Sequence, residues 1–217
     1  MTALSVEQTR QMISDTEDLI ILDTRDNETF AEGFITGSIF IGLNDRFEDW
    51  ALSLIPSGST ILLVTPSGKE EETARRLKKV GFNKIIGYLA GGIDSWKNAG
   101  QITDLIIQVE ADELAMDIPF DDHLIVLDVR NETEYADGHV KNALNISLKT
   151  MVDPGVMAVL DEKDNLYILS KSGYRSTIAA SLLKRQGFHN LRNLSGGWDA
   201  VLQEKKIETE KEQNALN

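Results

Sequence analysis

The chain repeats itself. Residues 21–43, ILDTRDNETFAEGFITGSIFIGL, align with residues 126–148, VLDVRNETEYADGHVKNALNISL, at a constant offset of 105. Asp23 falls on Asp128, Arg25 on Arg130, Phe30 on Tyr135, Gly33 on Gly138 and Leu43 on Leu148. The same offset relates Ser67-Gly68 to Ser172-Gly173 and Gly91-Gly92 to Gly196-Gly197, whereas Gly81-Phe82 matches Gly187-Phe188 at 106. The segment after Gly68 is therefore one residue shorter in the first copy. Self-similarity at a fixed period sets the architecture before any element is assigned. It gives two domains, residues 1–100 and 101–203, joined near Ala99-Gly100-Gln101, and a charged tail over 204–217. Each copy is long enough to bury a modest core.

Within each copy the same signals recur in the same order. Residues 5–8, Ser-Val-Glu-Gln, read as a capping box, and residues 109–118 carry helical apolar spacing. Continuous apolar runs at 19–22 and 124–127, and again at 61–64 and 166–169, are strands of the kind that a parallel sheet buries on both faces. Helices are expected over 71–80 and 176–186, each ending at a glycine suited to a C-cap, and short strands at 85–86 and 191–194. Strands alternating with helices predict an α/β fold with a mainly parallel sheet and ligands at the carboxyl ends of its strands.

Composition narrows the partners. A formal net charge of −13 and a pI near 4.7 repel nucleic acid and anionic membranes, so neither is expected. Residues 1–20 lack a basic stretch followed by an apolar run, and no segment approaches the roughly 20 apolar residues that span a bilayer; a cytoplasmic location is the expectation. His123, His139 and His189 lie far apart without ligand spacing, so neither a metal nor another cofactor is expected. The chain has no cysteine, which removes disulfides, thiolate metal sites and every cysteine nucleophile.

The stretch that should carry chemistry is 166–177, LYILSKSGYRST, an apolar strand running through a short glycine turn into a helix. Such a turn gathers backbone N–H groups at the positive end of a helix dipole and makes an anion cradle. Ser172, Gly173, Tyr174 and Ser176 form it, with Lys171 and Arg175 adding formal charge. An ordinary polar βα turn has the same composition, so both readings stand at this point.

Taken together these pieces resemble the rhodanese family. The second copy has the family's D-x-R strand end at Asp128-Val129-Arg130, its E-[FY]-x-x-G-H-[IV] stretch at residues 134–140, and its terminal Gly196-Gly197. The family's active loop, C-x-x-G-x-R-[ST], is matched at Gly173, Arg175 and Ser176, but Ser170 stands at the cysteine position. The resemblance covers nearly the whole chain and implies two three-layer α/β/α domains. In rhodaneses the cysteine takes a sulfane sulfur from a donor such as thiosulfate, holds it as a persulfide and passes it to a thiophilic acceptor. A serine hydroxyl ionises far above a thiol and forms no persulfide, and no neighbouring base is evident; His139 lies in a motif whose usual role is structural.

The first copy departs further. Its loop reads Thr65-Pro66-Ser67-Gly68-Lys69-Glu70-Glu71-Glu72, with carboxylates that suit a helix N-terminus and repel an anion. Residues 1–100 are therefore read as a scaffold or protein-interaction domain. Asp23–Arg25 and Asp128–Arg130 are either structural charge pairs at strand ends or substrate-orienting pairs. Trp96 and Trp198 are expected to pack the final helices, and the tail to extend the last helix or fray.

Two functions follow as expectations. One is a non-catalytic module binding a small anion such as thiosulfate, sulfate or a persulfide, or a protein partner. The other is a sulfurtransferase whose cysteine at position 170 has been replaced. Paired rhodanese-like domains also occur beside metallo-β-lactamase-like persulfide dioxygenase domains, although this chain carries no histidine-rich metal motif. Phosphatases of the same fold use a longer loop and also need cysteine.

Overall fold

A computed structural model describes residues 1–44 and 46–212 and divides into two compact units, the first Met1–Leu105 and the second from Ile106 onward. The first unit runs β1 (Ala3–Leu4), α1 (Val6–Asp15), β2 (Ile20–Asp23), α2 (Asn27–Ala31), β3 (Phe34–Ile35), β4 (Ile39–Phe40), α3 (Phe47–Leu54), β5 (Ile61–Val64), α4 (Glu70–Lys79), β6 (Ile85–Leu89), α5 (Gly92–Asn98) and β7 (Thr103–Asp104). The second runs β8 (Ile107–Val109), α6 (Ala111–Asp117), β9 (Leu124–Asp128), α7 (Glu132–Ala136), β10 (His139–Val140), β11 (Leu144–Asn145), a 3-10 turn (Leu148–Thr150), α8 (Pro154–Met157), β12 (Asn165–Leu169), α9 (Tyr174–Arg185), β13 (Leu191–Leu194), α10 (Gly197–Val201) and β14 (Thr209–Glu210).

Each unit holds one five-stranded sheet, every pairing of which is parallel, in the order β1-β6-β5-β2-β4 and its repeat β8-β13-β12-β9-β11. The central strands are the continuous apolar runs. Ile61, Leu62, Leu63 and Val64 are wholly buried, as are Leu166, Ile168 and Leu169, because helices cover both sheet faces. The Ser5–Gln8 capping box forms as expected, and Gly81 and Gly187 follow their helices with φ of +98°, a conformation that glycine adopts without strain. Residue 109 closes β8 instead of opening a helix, and α6 starts after Glu110, whose side chain takes part in a capping box with Glu113.

The repeat extends past the paired glycines. β7 returns to pair antiparallel with β3 (Ile35 opposite Thr103), and β14 repeats this against β10 (Val140 opposite Thr209). Residues 204–212 therefore neither extend α10 nor fray. Ile207 is the buried anchor, Lys141 pairs with Glu208 at 2.7 Å, and the Glu212 amide donates to the Ala136 carbonyl. Residues 213–217 of the expected tail lie outside the described residues. Among those described, no helix is long and apolar enough to cross a membrane.

The final helices differ between the copies. At the repeat offset Trp198 corresponds to Ile93, and Trp96 to Val201. Trp96 is buried in the core of its unit and donates Nε1–H to the Ile102 carbonyl. Trp198 is half-buried, with the Arg130 guanidinium 4.4 Å from its ring centroid.

The Gly196-Gly197 turn fixes the loop after β12. A Cβ on Gly197, which has φ of +56°, would lie 2.1 Å from the Ser170 carbonyl oxygen. That approach lets the Trp198 amide donate to Ser170 O at 2.8 Å and the Asp199 amide to Lys171 O at 3.3 Å. In the first unit a Cβ on Gly92 would lie 3.7 Å from Thr65 O, an ordinary contact.

This difference is measurable. Both Gly92→Ala and Gly197→Ala force a left-handed backbone on a non-glycine residue, costing about 1–3 kcal/mol, but only Gly197→Ala adds a backbone clash. Gly197→Ala should lower the denaturant midpoint more than Gly92→Ala, and equal losses would contradict the packing described. In the first unit Arg76 makes two hydrogen bonds to Glu48, at 2.7 and 2.5 Å, and holds its carboxyl down at about 2 from the usual 4.5. Because the folded value is depressed, this stabilisation is full above pH 4.5 and is lost as pH falls toward 2. The stability gap between the native protein and Glu48→Gln should be constant near neutrality and shrink across that acid window.

Candidate functional site

β12 ends at Leu169, and the chain turns through residues 170–173 into α9, with Gly173 at φ of +97°. Ser170 is buried beneath this turn, Lys171 and Ser172 are exposed, Tyr174 and Arg175 are half-buried, and Ser176 is buried. The loop thus lies at the carboxyl end of a central strand and at the N-terminus of a 12-residue helix.

The Ser170 hydroxyl is committed to the loop itself. Its Oγ accepts from the Gly173 amide at 3.2 Å and lies 3.2 Å from Ser176 Oγ. Ser176 Oγ lies 2.9 Å from the Gly173 carbonyl and can only donate its single hydrogen there, so Ser170 donates to Ser176. His139 does not serve as a base for it: Nδ1 lies on the Tyr135 carbonyl at 2.9 Å and Nε2 faces Glu210 at 3.5 Å. The Ser170 hydroxyl thus donates and accepts within the loop. Among the described residues no group of three His, Asp or Glu is placed to hold a metal.

The two loop cations differ in placement. Arg175 is held by the α7 carboxylate Glu134, to which it donates through both terminal nitrogens, at 2.6 and 2.7 Å. Its guanidinium holds the Glu134 carboxyl below the usual carboxylate range, helped by the Asn131 amide, which donates to Glu134 Oε2 at 3.2 Å. Arg175 therefore brings no net positive charge with it. Lys171 is exposed and has no carboxylate at ion-pair distance among the described residues, so it is the loop's available cation.

Asp128 and Arg130 do not line the loop. Asp128 accepts from the Arg130 amide and Nε, both at 3.0 Å, and from Nη2 at 2.5 Å; Nη2 also reaches the Gly138 carbonyl at 2.7 Å. Both side chains are buried, and the guanidinium lies over Trp198, whose amide holds Ser170 O. Trp198 thus touches both the pair, through its ring, and the loop, through its amide. Asp23 and Arg25 repeat it, with Arg25 donating to the carbonyls of Gly33 at 2.9 Å and Thr29 at 3.2 Å.

The corresponding loop of the first unit is filled from within. Gly68 keeps its left-handed φ of +79°, but its amide donates to Glu70 Oε1 at 3.2 Å, and Pro66 has no amide to offer. Glu70 occupies the position of Arg175, so the charge there is inverted. Lys69, the nearby cation, pairs with Glu72 at 2.8 Å.

Three features of the site escape a reading of the sequence: Glu134 as partner of Arg175, the proximity of Gly197 to Ser170, and the hydroxyl chain from Ser170 through Ser176. Each depends on contacts between segments that helical or strand periodicity does not relate.

Comparison with known proteins identifies the family. The Rhodanese-like domain family matches residues 5–99 and 110–204. The provisionally named sulfur carrier protein YrkF of Bacillus subtilis (strain 168) is 36% identical over 107 residues, covering 49% of this chain and 55% of that protein. The tRNA uridine(34) hydroxylase of Yersinia pestis (strain Pestoides F) is 24% identical over 157 residues, covering 70% of this chain and 43% of its own. The chain thus spans about half the length of such curated relatives. A crystal structure of thiosulfate sulfurtransferase from Pseudomonas aeruginosa superposes with a TM-score of 0.45 at 18% identity, over 98% of this chain and 44% of that one. With both repeats matched by one family along nearly their full length, the chain belongs to the rhodanese-like domain family, as a tandem pair.

Proposed function

We propose that the second unit is a non-catalytic, cytoplasmic anion-binding module of sulfur metabolism and that the first unit is a scaffold or protein-interaction domain. The observation that carries this reading is the state of the second loop. It keeps the left-handed Gly173, the helix N-terminus and an available Lys171 while its nucleophile position holds a serine whose hydroxyl is committed to the loop itself. A small sulfur oxyanion such as thiosulfate or sulfate, or a persulfide, fits these donors. The first unit keeps the left-handed glycine but has Pro66 in place of Lys171, a carboxylate at Glu70, and its Lys69 paired with Glu72.

A second reading, a sulfurtransferase scaffold deprived of its cysteine, is favoured by the hydrogen bonds at Ser170. A thiolate at this position would take the Gly173 amide and the helix dipole, both of which lower a thiol pKa. It would attack the outer sulfur of thiosulfate. The S–S bond would break, sulfite would leave with the bonding pair, and a persulfide would remain. Cyanide would then attack the terminal sulfur, and thiocyanate would depart as the thiolate re-formed.

The test is calorimetric titration of the native protein with thiosulfate beside a thiosulfate-to-cyanide assay of the native and Ser170→Cys proteins. The binding module predicts thiosulfate binding and no turnover by the native protein, with binding weakened several-fold by Lys171→Ala through loss of the loop's cation. Turnover by Ser170→Cys would establish the second reading. A folded native protein that fails to bind thiosulfate would overturn the first.

A further inference from the structure

The Arg175–Glu134 pair joins the first turn of α9 to α7 across 41 residues of sequence. Each Glu134 oxygen takes one Arg175 nitrogen, and the side chains are 20% and 29% exposed. This fork-on-fork geometry fixes the direction as well as the distance of a guanidinium. Glu134 is itself fixed by the capping box of α7, in which Asn131 accepts from the Glu134 amide at 2.9 Å and Glu134 receives the Asn131 amide. The carboxylate is thus a rigid acceptor. In the first unit Thr29 and Glu70 stand at these two positions, so no such pair can form.

We infer that Glu134 is a positioning residue that sets the anion affinity of the loop by holding the Arg175 guanidinium away from the cradle. The inference rests on the anion-binding reading above. The Glu134 carboxylate takes one hydrogen from each terminal nitrogen of Arg175 and so fixes the direction of the fork; turning that fork onto a bound anion would exchange one ion pair for another with little gain. In a Glu134→Gln protein that competitor is gone, and Arg175, on the second residue of α9, is free to turn toward the loop. Removing Glu134 also deletes a nearby negative charge, which by itself strengthens anion binding. A double-mutant comparison separates the two effects.

The experiment uses the full chain in four forms, native, Glu134→Gln, Arg175→Gln and the double variant, each titrated with thiosulfate at fixed ionic strength. Arg175→Gln should weaken binding by no more than about 3-fold where Glu134 is present, through the carboxylate charge it uncovers, and by about 10-fold in the Glu134→Gln protein, where the guanidinium becomes a charge-assisted donor. Equal losses in the two backgrounds would overturn the inference while leaving the anion-binding reading in place. Binding by none of the four, with native circular dichroism retained, would overturn both. Should Arg175→Gln unfold, Arg175→Lys provides the same comparison, since lysine keeps the charge and loses the fork. It should bind as the native protein does when Glu134 is present, and more weakly than arginine in the Glu134→Gln background.

Discussion

The second loop depends on the approach of one backbone to another. Gly197 lies so close to the Ser170 carbonyl that no side chain fits between them, and this proximity lets the first amides of α10 close on the carbonyls of residues 170 and 171. Behind α10, the ring of Trp198 lies under the Arg130 guanidinium, which Asp128 anchors at the end of β9. Strand end, ion pair, indole and glycine turn thus form one continuous support for the loop over residues 170–173. The buried Asp128–Arg130 pair serves to place it; net stability is a poor account of such pairs, since desolvation offsets much of their attraction.

The duplication shows what that support does without the site. The first unit keeps the sheet order, the Asp23–Arg25 pair, the glycine turn and the antiparallel clasp of β3 with β7. Its loop nevertheless holds Pro66 and Glu70, which remove one amide and put a carboxylate in place of a guanidinium. Fold and site have separated here: the frame needs buried apolar strands and a few glycines, whereas the anion site needs amides left free and a cation not already held by a carboxylate. Among the described residues of the second loop, Lys171 meets that last condition and Arg175 does not.

Much of this was legible in the sequence because it is local or repeated. The apolar runs gave β2, β5, β9, β12 and β13 to within about a residue and the start of β6, the capping box and terminal glycines bounded helices, and the offset of 105 gave the duplication. The features that escaped are contacts between distant segments. Nothing in the periodicity around Glu134 points to a guanidinium 41 residues later, and composition made the tail look unanchored although Ile207 is buried and Thr209–Glu210 pairs with His139–Val140. Trp96 and Trp198 likewise follow similar glycine pairs yet sit in different environments, because they are not equivalent positions of the repeat.

The central claim is that one loop of the pair remains an anion cradle and the other does not. Its most direct test is amide NMR of the full chain during titration with thiosulfate. The account predicts saturable shifts at the amides of residues 171–176, with no corresponding response at residues 67–71. A response in both loops, or in neither while the protein remains folded, would contradict it.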